Sequence, residues 1–241
     1  MKIILNIQRY NPDADEAPHY QEYQVETDPN ERLLDALMQV KRFQDGSLGF
    51  RKSCAHGVCG SDAMRINGKD GLACKTLIKE VVEKDGDVVT VEPLRYLTVQ
   101  RDLIVDQSDF FSKYRSVKPF LINDEPVIGK ERIQSQDERM QFDDTTNCIL
   151  CASCYSACPV LEGNPAFLGP AAIAQAYRFN ADTLDRGFYE RLPVLGRPDG
   201  VWPCQNHLHC TRSCPRGILI TKRINQTKRM IEKHNQATRG E

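Results

Sequence analysis

Ten cysteines stand in three spaced groups within 241 residues, and that spacing limits what the chain can fold around more than any other feature. Cys54, Cys59 and Cys74 lie in the first half; Cys148, Cys151, Cys154 and Cys158 form a second group, and Cys204, Cys210 and Cys214 a third. Disulfides fit poorly, because they staple small exported domains, and Met1-Lys2-Ile3-Ile4-Leu5 runs into polar residues at once, unlike a signal peptide. Metal ligation is the stronger reading, and a cytoplasmic chain is the expectation.

The rest of the composition is that of a soluble globular protein. It is 40% hydrophobic and 27% charged, which excludes a disordered chain, a collagen and a long coiled coil. The formal charge of -1 argues against a nucleic-acid binder. No stretch approaches the roughly 18 consecutive apolar residues of a bilayer span.

Strand signals fill the first half. Ile3, Leu5 and Ile7 alternate at period two, as do Tyr23 and Val25; Asn67-Gly68 marks a hairpin after a strand over 63–66, and Pro93 closes a strand over 88–91. Asp28-Pro29 opens a helix bearing Leu33, Leu34, Leu37, Met38 and Val40. A second helical pattern covers 102–114. Beyond Cys148 the pattern is helical, with Pro170 in the first turn of one helix and a basic helix over 221–235. The expectation is an α+β chain, with a β-rich domain over 1–105 and an α-helical domain over 106–241.

Cys54-x4-Cys59-x2-Asp62, followed by Cys74, has the spacing of a plant-type 2Fe–2S site with Asp in the third ligand slot. Gly57 and Gly60 let the loop curl so that backbone N–H groups can face the cluster sulfurs. Asp62 is read as a ligand; the alternative is a carboxylate that only hydrogen-bonds the loop. A zinc site requires Cys-x2-Cys knuckles, which this half lacks.

Cys148-x2-Cys151-x2-Cys154-x3-Cys158-Pro159 is a bacterial-ferredoxin run, in which the fourth cysteine serves the other cluster. Cys204-x2-His207-x2-Cys210-x3-Cys214-Pro215 repeats the frame with His207 in the second slot. Crossing the fourth cysteines assigns Cys148, Cys151, Cys154 and Cys214 to a 4Fe–4S cluster. Cys158, Cys204 and Cys210 are left for a cubane with three thiolates. Such a cubane either is 3Fe–4S, the reading adopted, or keeps a fourth iron on His207. His209 has the weaker claim of the two histidines. No dinucleotide or phosphate-binding loop is present, so the chain reads as an electron carrier rather than a substrate-binding subunit.

These stretches carry a family likeness. Cys54-Ala-His-Gly-Val-Cys-Gly-Ser-Asp-Ala-Met-Arg-Ile-Asn-Gly, Leu72-Ala-Cys-Lys-Thr-Leu, Arg101-Asp-Leu-Ile-Val-Asp, Lys118-Pro-Phe-Leu, Cys148-Ile-Leu-Cys, Gly169-Pro-Ala and Cys214-Pro-Arg-Gly-Ile resemble the iron–sulfur subunits of succinate dehydrogenase and fumarate reductase (respiratory complex II), nearly end to end. The resemblance implies a β-grasp, plant-type-ferredoxin-like domain followed by an α-helical, bacterial-ferredoxin-like domain. It implies a flavoprotein partner with covalent FAD and a membrane-anchor partner, with or without haem. It places the chain peripherally on the cytoplasmic face of the inner membrane. Electrons would pass from succinate through flavin, 2Fe–2S, 4Fe–4S and 3Fe–4S to a quinone, or in reverse to fumarate. Ubiquinone-reducing members place tryptophans shortly after the Pro that follows the fourth cysteine of the first run. Here Val160-Leu161-Glu162-Gly163-Asn164-Pro165 has none, and Trp202 is the only Trp. Pro159, Trp202, His207 and His209 are the candidates for the quinone end.

Overall fold

The computed structural model describes residues 1–127 and 129–239 and divides the chain into two units. The first comprises Met1–Gln107 and Ile149–Ala157; the second comprises Ser108–Cys148 and the chain from Cys158 on. The strands are β1 (Lys2–Arg9), β2 (His19–Glu26), β3 (Ala63–Ile66), β4 (Lys69–Leu72), β5 (Val88–Glu92), β6 (Val99–Arg101) and β7 (Ile104–Val105). The helices are α1 (Leu33–Phe43), α2 (Ser108–Ser116), α3 (Gln136–Met140), α4 (Ser153–Ser156), α5 (Val160–Gly163), α6 (Pro170–Asn180), α7 (Phe188–Leu195), α8 (His209–Arg212) and α9 (Ile220–Arg239).

In the first unit a five-stranded sheet runs β2-β1-β5-β3-β4. β1 and β5 are parallel, with Leu5 opposite Val89 and Ile7 opposite Val91, and the other pairs are antiparallel. The period-two residues Ile3, Leu5 and Ile7 are buried in one core with Leu33, Leu34, Ala36, Leu37 and Val40 of α1, whose i, i+3, i+4, i+7 spacing makes one apolar stripe. The pattern implies a small mixed sheet on one helix, and the sheet order found here is the ferredoxin-like architecture that the resemblance implies. Ile149 and Cys151 join the same core, which is why a segment from far along the chain packs with this unit.

Two helix readings need correction. The helix expected from Asp28 begins at Leu33, because the Asp28 carboxylate accepts the Asn30 N–H at 2.8 Å and its carbonyl accepts the Glu31 N–H at 3.0 Å, closing a turn instead. The helix expected over 102–114 begins only at Ser108. Asp102 sits at φ 46 between β6 and β7, and its carboxylate is committed inward. One oxygen accepts Arg9 Nε at 3.0 Å and the Tyr10 N–H at 2.9 Å; the other accepts the Gly49 N–H at 2.6 Å. Arg9 also donates to Gln21, Tyr23, Asp45 and Ser47.

The second unit is helical. α6 is buried along most of its length, packs on α9, whose Arg223 lies over the Tyr177 ring, and starts at Gly169-Pro170 as its cap residues require. Its fixed point is Arg191, fully buried on α7, with all five N–H groups used. They go to the Lys118 and Phe120 carbonyls, Asn180, and both oxygens of Asp185, at 2.7 to 3.1 Å. Asp185 in turn accepts the N–H groups of Ile122 and Gly187. A methyl group at Gly187 would lie 2.7 Å from Ile122 and 2.8 Å from Arg191, so only glycine fits beside this pair.

Removing one partner of a buried, hydrogen-bonded ion pair costs about 3–5 kcal/mol, because the other charge stays buried. Asp102→Ala should therefore lower the stability of the first unit by that order, read as a shift of the urea midpoint of the full chain. A shift worth under about 1 kcal/mol would show that Asp45 alone holds Arg9. Asp45 ionises well below the usual carboxylate range; burial opposes this, but hydrogen bonds from Ser47, Tyr23 and Arg9 outweigh it. Its contribution is thus full above an unfolded pKa of about 3.9 and is lost as pH falls further.

Candidate metal centres

The loop from Cys54 to Asp62 and the turn at Cys74 form the first centre. Ala55, Gly57 and Gly60 all have positive φ (57°, 74° and 71°), which turns successive N–H groups to the inside of the loop. The N–H groups of His56 and Val58, together with the Cys59 side chain, hold the Cys54 thiol down at about 6. Burial and then the Asp62 carboxylate push the Cys74 thiol up to about 12, against a hydrogen bond from the Gly57 N–H. Asp62 is 2% exposed, and its Oδ2 accepts the Cys74 N–H at 2.6 Å. Cys54, Cys59, Asp62 and Cys74 are thus brought together, with N–H donors facing sulfur, an arrangement suited to thiolates on an inorganic core.

Gly60 has a second task. A methyl group there would lie 2.6 Å from Cys151 Cβ and 3.0 Å from its Cα, so the first cysteine loop and the Cys151 turn touch through the absence of a side chain. α4, which carries Cys154, is fastened to β4: Ser156 Oγ donates to the buried Asp70 and accepts the Arg95 N–H at 2.8 Å.

The two ferredoxin runs share one local fold. Leu150 and Ala152 have φ 52° and 63°, and Asn206 and Leu208 have φ 61° and 64°, each pair two and four residues after the first cysteine of its run. A one-turn helix follows in both, α4 after Ala152 and α8 after Leu208. Non-glycine residues avoid this region unless the surroundings impose it, so its recurrence in register marks a repeated ligand loop. In that register His207 stands where Cys151 stands. Cys151 and Cys154 belong to the first unit, Cys148 and Cys214 to the second.

Within the second unit Cys158, Cys204 and Cys210 line one cavity, with Pro159, His207 and His209 also on its wall. Burial pushes Cys158 up to about 11 against the N–H groups of Val160 and Leu161, and burial likewise raises Cys210. Trp202 does not line the cavity; its indole N–H donates to the Gly196 carbonyl at 2.9 Å. His207 is exposed, with Nε2 3.2 Å from Gln205 Oε1. Three further groups stand beside these cysteines. The hydroxyl of Thr221 lies 3.4 Å from Cys210 Sγ, Thr211 bonds Thr221, and Lys228 Nζ donates to the Cys204 carbonyl at 2.8 Å. No spacing rule points to them.

Among the described residues, no three His, Cys, Asp or Glu side chains converge on a single-ion position; a core of several irons holds its ligands farther apart than one ion does. The residues present fit such cores. No helix among the described residues is long and apolar enough to cross a membrane.

Comparison with known proteins agrees with this geometry. A family model described as a 2Fe-2S iron-sulfur cluster binding domain matches residues 4–112, and one described as a 4Fe-4S dicluster domain matches residues 144–218. The chain is 40% identical over 229 residues to a succinate dehydrogenase iron-sulfur subunit of Coxiella burnetii, covering 94% of this chain and 95% of that protein. It is 42% identical over 219 residues to a fumarate reductase iron-sulfur subunit of Mycobacterium tuberculosis, covering 90% and 87%. A solved structure of the Mycobacterium smegmatis Sdh1 complex in the apo form contains a chain of TM-score 0.85 and 27% identity, matched over 97% of this chain and 96% of that one. Fold and sites define an iron–sulfur electron-transfer protein, a subunit of an oxidoreductase. The chain belongs to the family of succinate dehydrogenase and fumarate reductase iron–sulfur subunits.

Gly60 offers a direct test of the first centre. Gly60→Ala forces an L-residue to φ 71 and a methyl into Cys151; the backbone term alone costs about 1–2 kcal/mol. The expected result is a several-fold loss of the 2Fe–2S signal per chain by EPR, whereas Gly68→Ala, which carries the same backbone cost at φ 75 but has no neighbour closer than 3.8 Å, should keep it. Equal occupancy in both variants would show that the close approach is not required.

Proposed function

We propose that this chain is the electron-carrying subunit of a succinate:quinone oxidoreductase complex, seated between a flavoprotein partner with FAD and a membrane-anchor partner, on the cytoplasmic face of the membrane. The observation that carries the reading is the order of three cysteine arrays along a chain matched over 94% of its length by a succinate dehydrogenase iron-sulfur subunit. Fumarate reduction by the same arrangement run in reverse is the second reading, favoured by the 42% identical fumarate reductase relative.

Cys54, Cys59, Asp62 and Cys74 would hold the 2Fe–2S cluster. Cys148, Cys151, Cys154 and Cys214 would hold the 4Fe–4S cluster, and Cys158, Cys204 and Cys210 the 3Fe–4S cluster. When bound, these groups supply one-electron carriers between a two-electron flavin donor and a two-electron quinone acceptor. The chain's own residues hold the sulfurs, turn N–H donors toward them and exclude water. Asp62 offers one oxygen to the Cys74 N–H and has its second for iron. Pro159, His207 and His209, on the wall of the three-cysteine cavity, and Trp202 nearby in sequence, would border the quinone. An exposed imidazole there can hydrogen-bond a quinone carbonyl.

The test is the membrane complex assayed in both directions. Succinate-driven quinone reduction faster than quinol-driven fumarate reduction supports the first reading; the reverse order supports the second, and neither activity overturns both. His207→Leu should slow quinone reduction by roughly two- to tenfold, the worth of one hydrogen bond, with succinate oxidation by an artificial flavin-level acceptor preserved. Unchanged quinone kinetics would remove His207 from the site.

A further inference from the structure

Cys210 lies beside a hydroxyl pair whose donors and acceptors can be counted. Thr211 Oγ1, on α8, accepts the Thr221 N–H at 3.0 Å and donates to Thr221 Oγ1 at 3.1 Å. Thr221 Oγ1, on the first turn of α9, therefore already has a donor and keeps its own proton to give, while the Thr211 hydroxyl and N–H also face the Cys210 sulfur. Thr221 Oγ1 itself lies 3.4 Å from Cys210 Sγ. A cysteine that ligates iron carries no proton, so the hydroxyl must be the donor in that contact. Thr221 is 4% exposed and Cys210 is 7% exposed, so water competes weakly for this bond and it acts in a low dielectric.

We infer that Thr221, oriented by Thr211, raises the reduction potential of the iron–sulfur group held by Cys158, Cys204 and Cys210 by donating its hydroxyl hydrogen bond to the Cys210 sulfur. This rests on the three-cysteine reading proposed above. Reduction adds one electron and moves no proton at Thr221; the added negative charge spreads onto the ligand sulfurs. A hydrogen bond to a charged acceptor is stronger than one to a less charged acceptor, so the reduced form gains more from Thr221 than the oxidised form. Hydrogen bonds to sulfur are one of the levers that set the potential of such groups. Lys228, whose ammonium donates to the Cys204 carbonyl at 2.8 Å, places a cation beside a second ligand residue and acts in the same direction. Thr221 is a positioning and tuning residue, acting through Cys210 rather than on any substrate.

The experiment is an EPR-monitored redox titration of the assembled complex. Thr221→Val replaces the hydroxyl with a methyl of similar size. Reduction of the three-cysteine group should become about tenfold less favourable, a drop of about 59 mV for one electron, while the other two clusters keep their potentials. Thr221→Ser should restore most of the drop. Thr211→Val, which removes the Thr211 hydroxyl's own contact with Cys210 and frees the orientation of Thr221, should give a drop of the same sign. An unshifted potential in Thr221→Val with its signal intact overturns the inference, as does a serine variant that falls as far as valine. If Thr221→Val loses the signal, Thr221→Ala takes its place: a drop supports the inference and no drop overturns it. Absence of a three-iron signal in the unsubstituted complex would instead overturn the three-cysteine reading, and the inference with it.

Discussion

Gathering several cysteine sulfurs around one buried position is the constraint on which the rest of this structure depends. Thiolates repel one another and lose hydration when buried, so the chain must supply compensating donors from its own backbone. It does so by holding Ala55, Leu150, Ala152, Asn206 and Leu208 at positive φ, a conformation that costs free energy for residues with a Cβ. The cost is met by the surrounding fold, and what results is a concave set of N–H groups turned toward sulfur. Burial still pushes the Cys74 and Cys158 thiols up to about 12 and about 11, so these two give up a proton when metal binds.

The scaffolds that impose these loops are polar as much as apolar. In the first unit Arg9 and Asp102 pin the β1 end to the β6–β7 turn, and Ser156 with Asp70 pins the Cys151–Cys154 turn to β4. In the second unit Arg191 gathers the connector carbonyls at Lys118 and Phe120 onto α7. Each is a buried polar contact, which favours one arrangement over near alternatives because breaking it leaves a buried polar or charged group without its partner. Electron transfer needs that rigidity, since carriers must stay at fixed separations.

Much of this was legible in the chain. The period-two residues Ile3, Leu5 and Ile7 and the stripe Leu33, Leu34, Leu37 and Val40 report the sheet and its helix, because apolar periodicity follows directly from which face is buried. Cysteine spacing reports ligand loops because a short linker leaves few ways to aim two sulfurs at one core. The start of α1 and the fate of residues 102–107 were not legible. Asp28 and Asp102 both carry the side chain of any helix-opening Asp: Asp28 closes a local turn with Asn30 and Glu31 instead, and at Asp102 a partner distant in sequence, Arg9 above all, decides what it bonds. Likewise Thr211, Thr221 and Lys228 look like ordinary residues of a polar helix until α8 and α9 set them beside Cys210 and Cys204. The repeat of His207 on Cys151 was visible as spacing; its backbone register was not.

The central claim is that three multi-iron groups, not zinc ions, fill the three cysteine arrays. Metal analysis of the purified complex, joined to EPR in oxidised and reduced states, tests it most directly. The account predicts about nine irons per copy of this chain, after subtraction of any haem iron, with three separable EPR species and no stoichiometric zinc. Zinc at two or more per chain with little iron would contradict it.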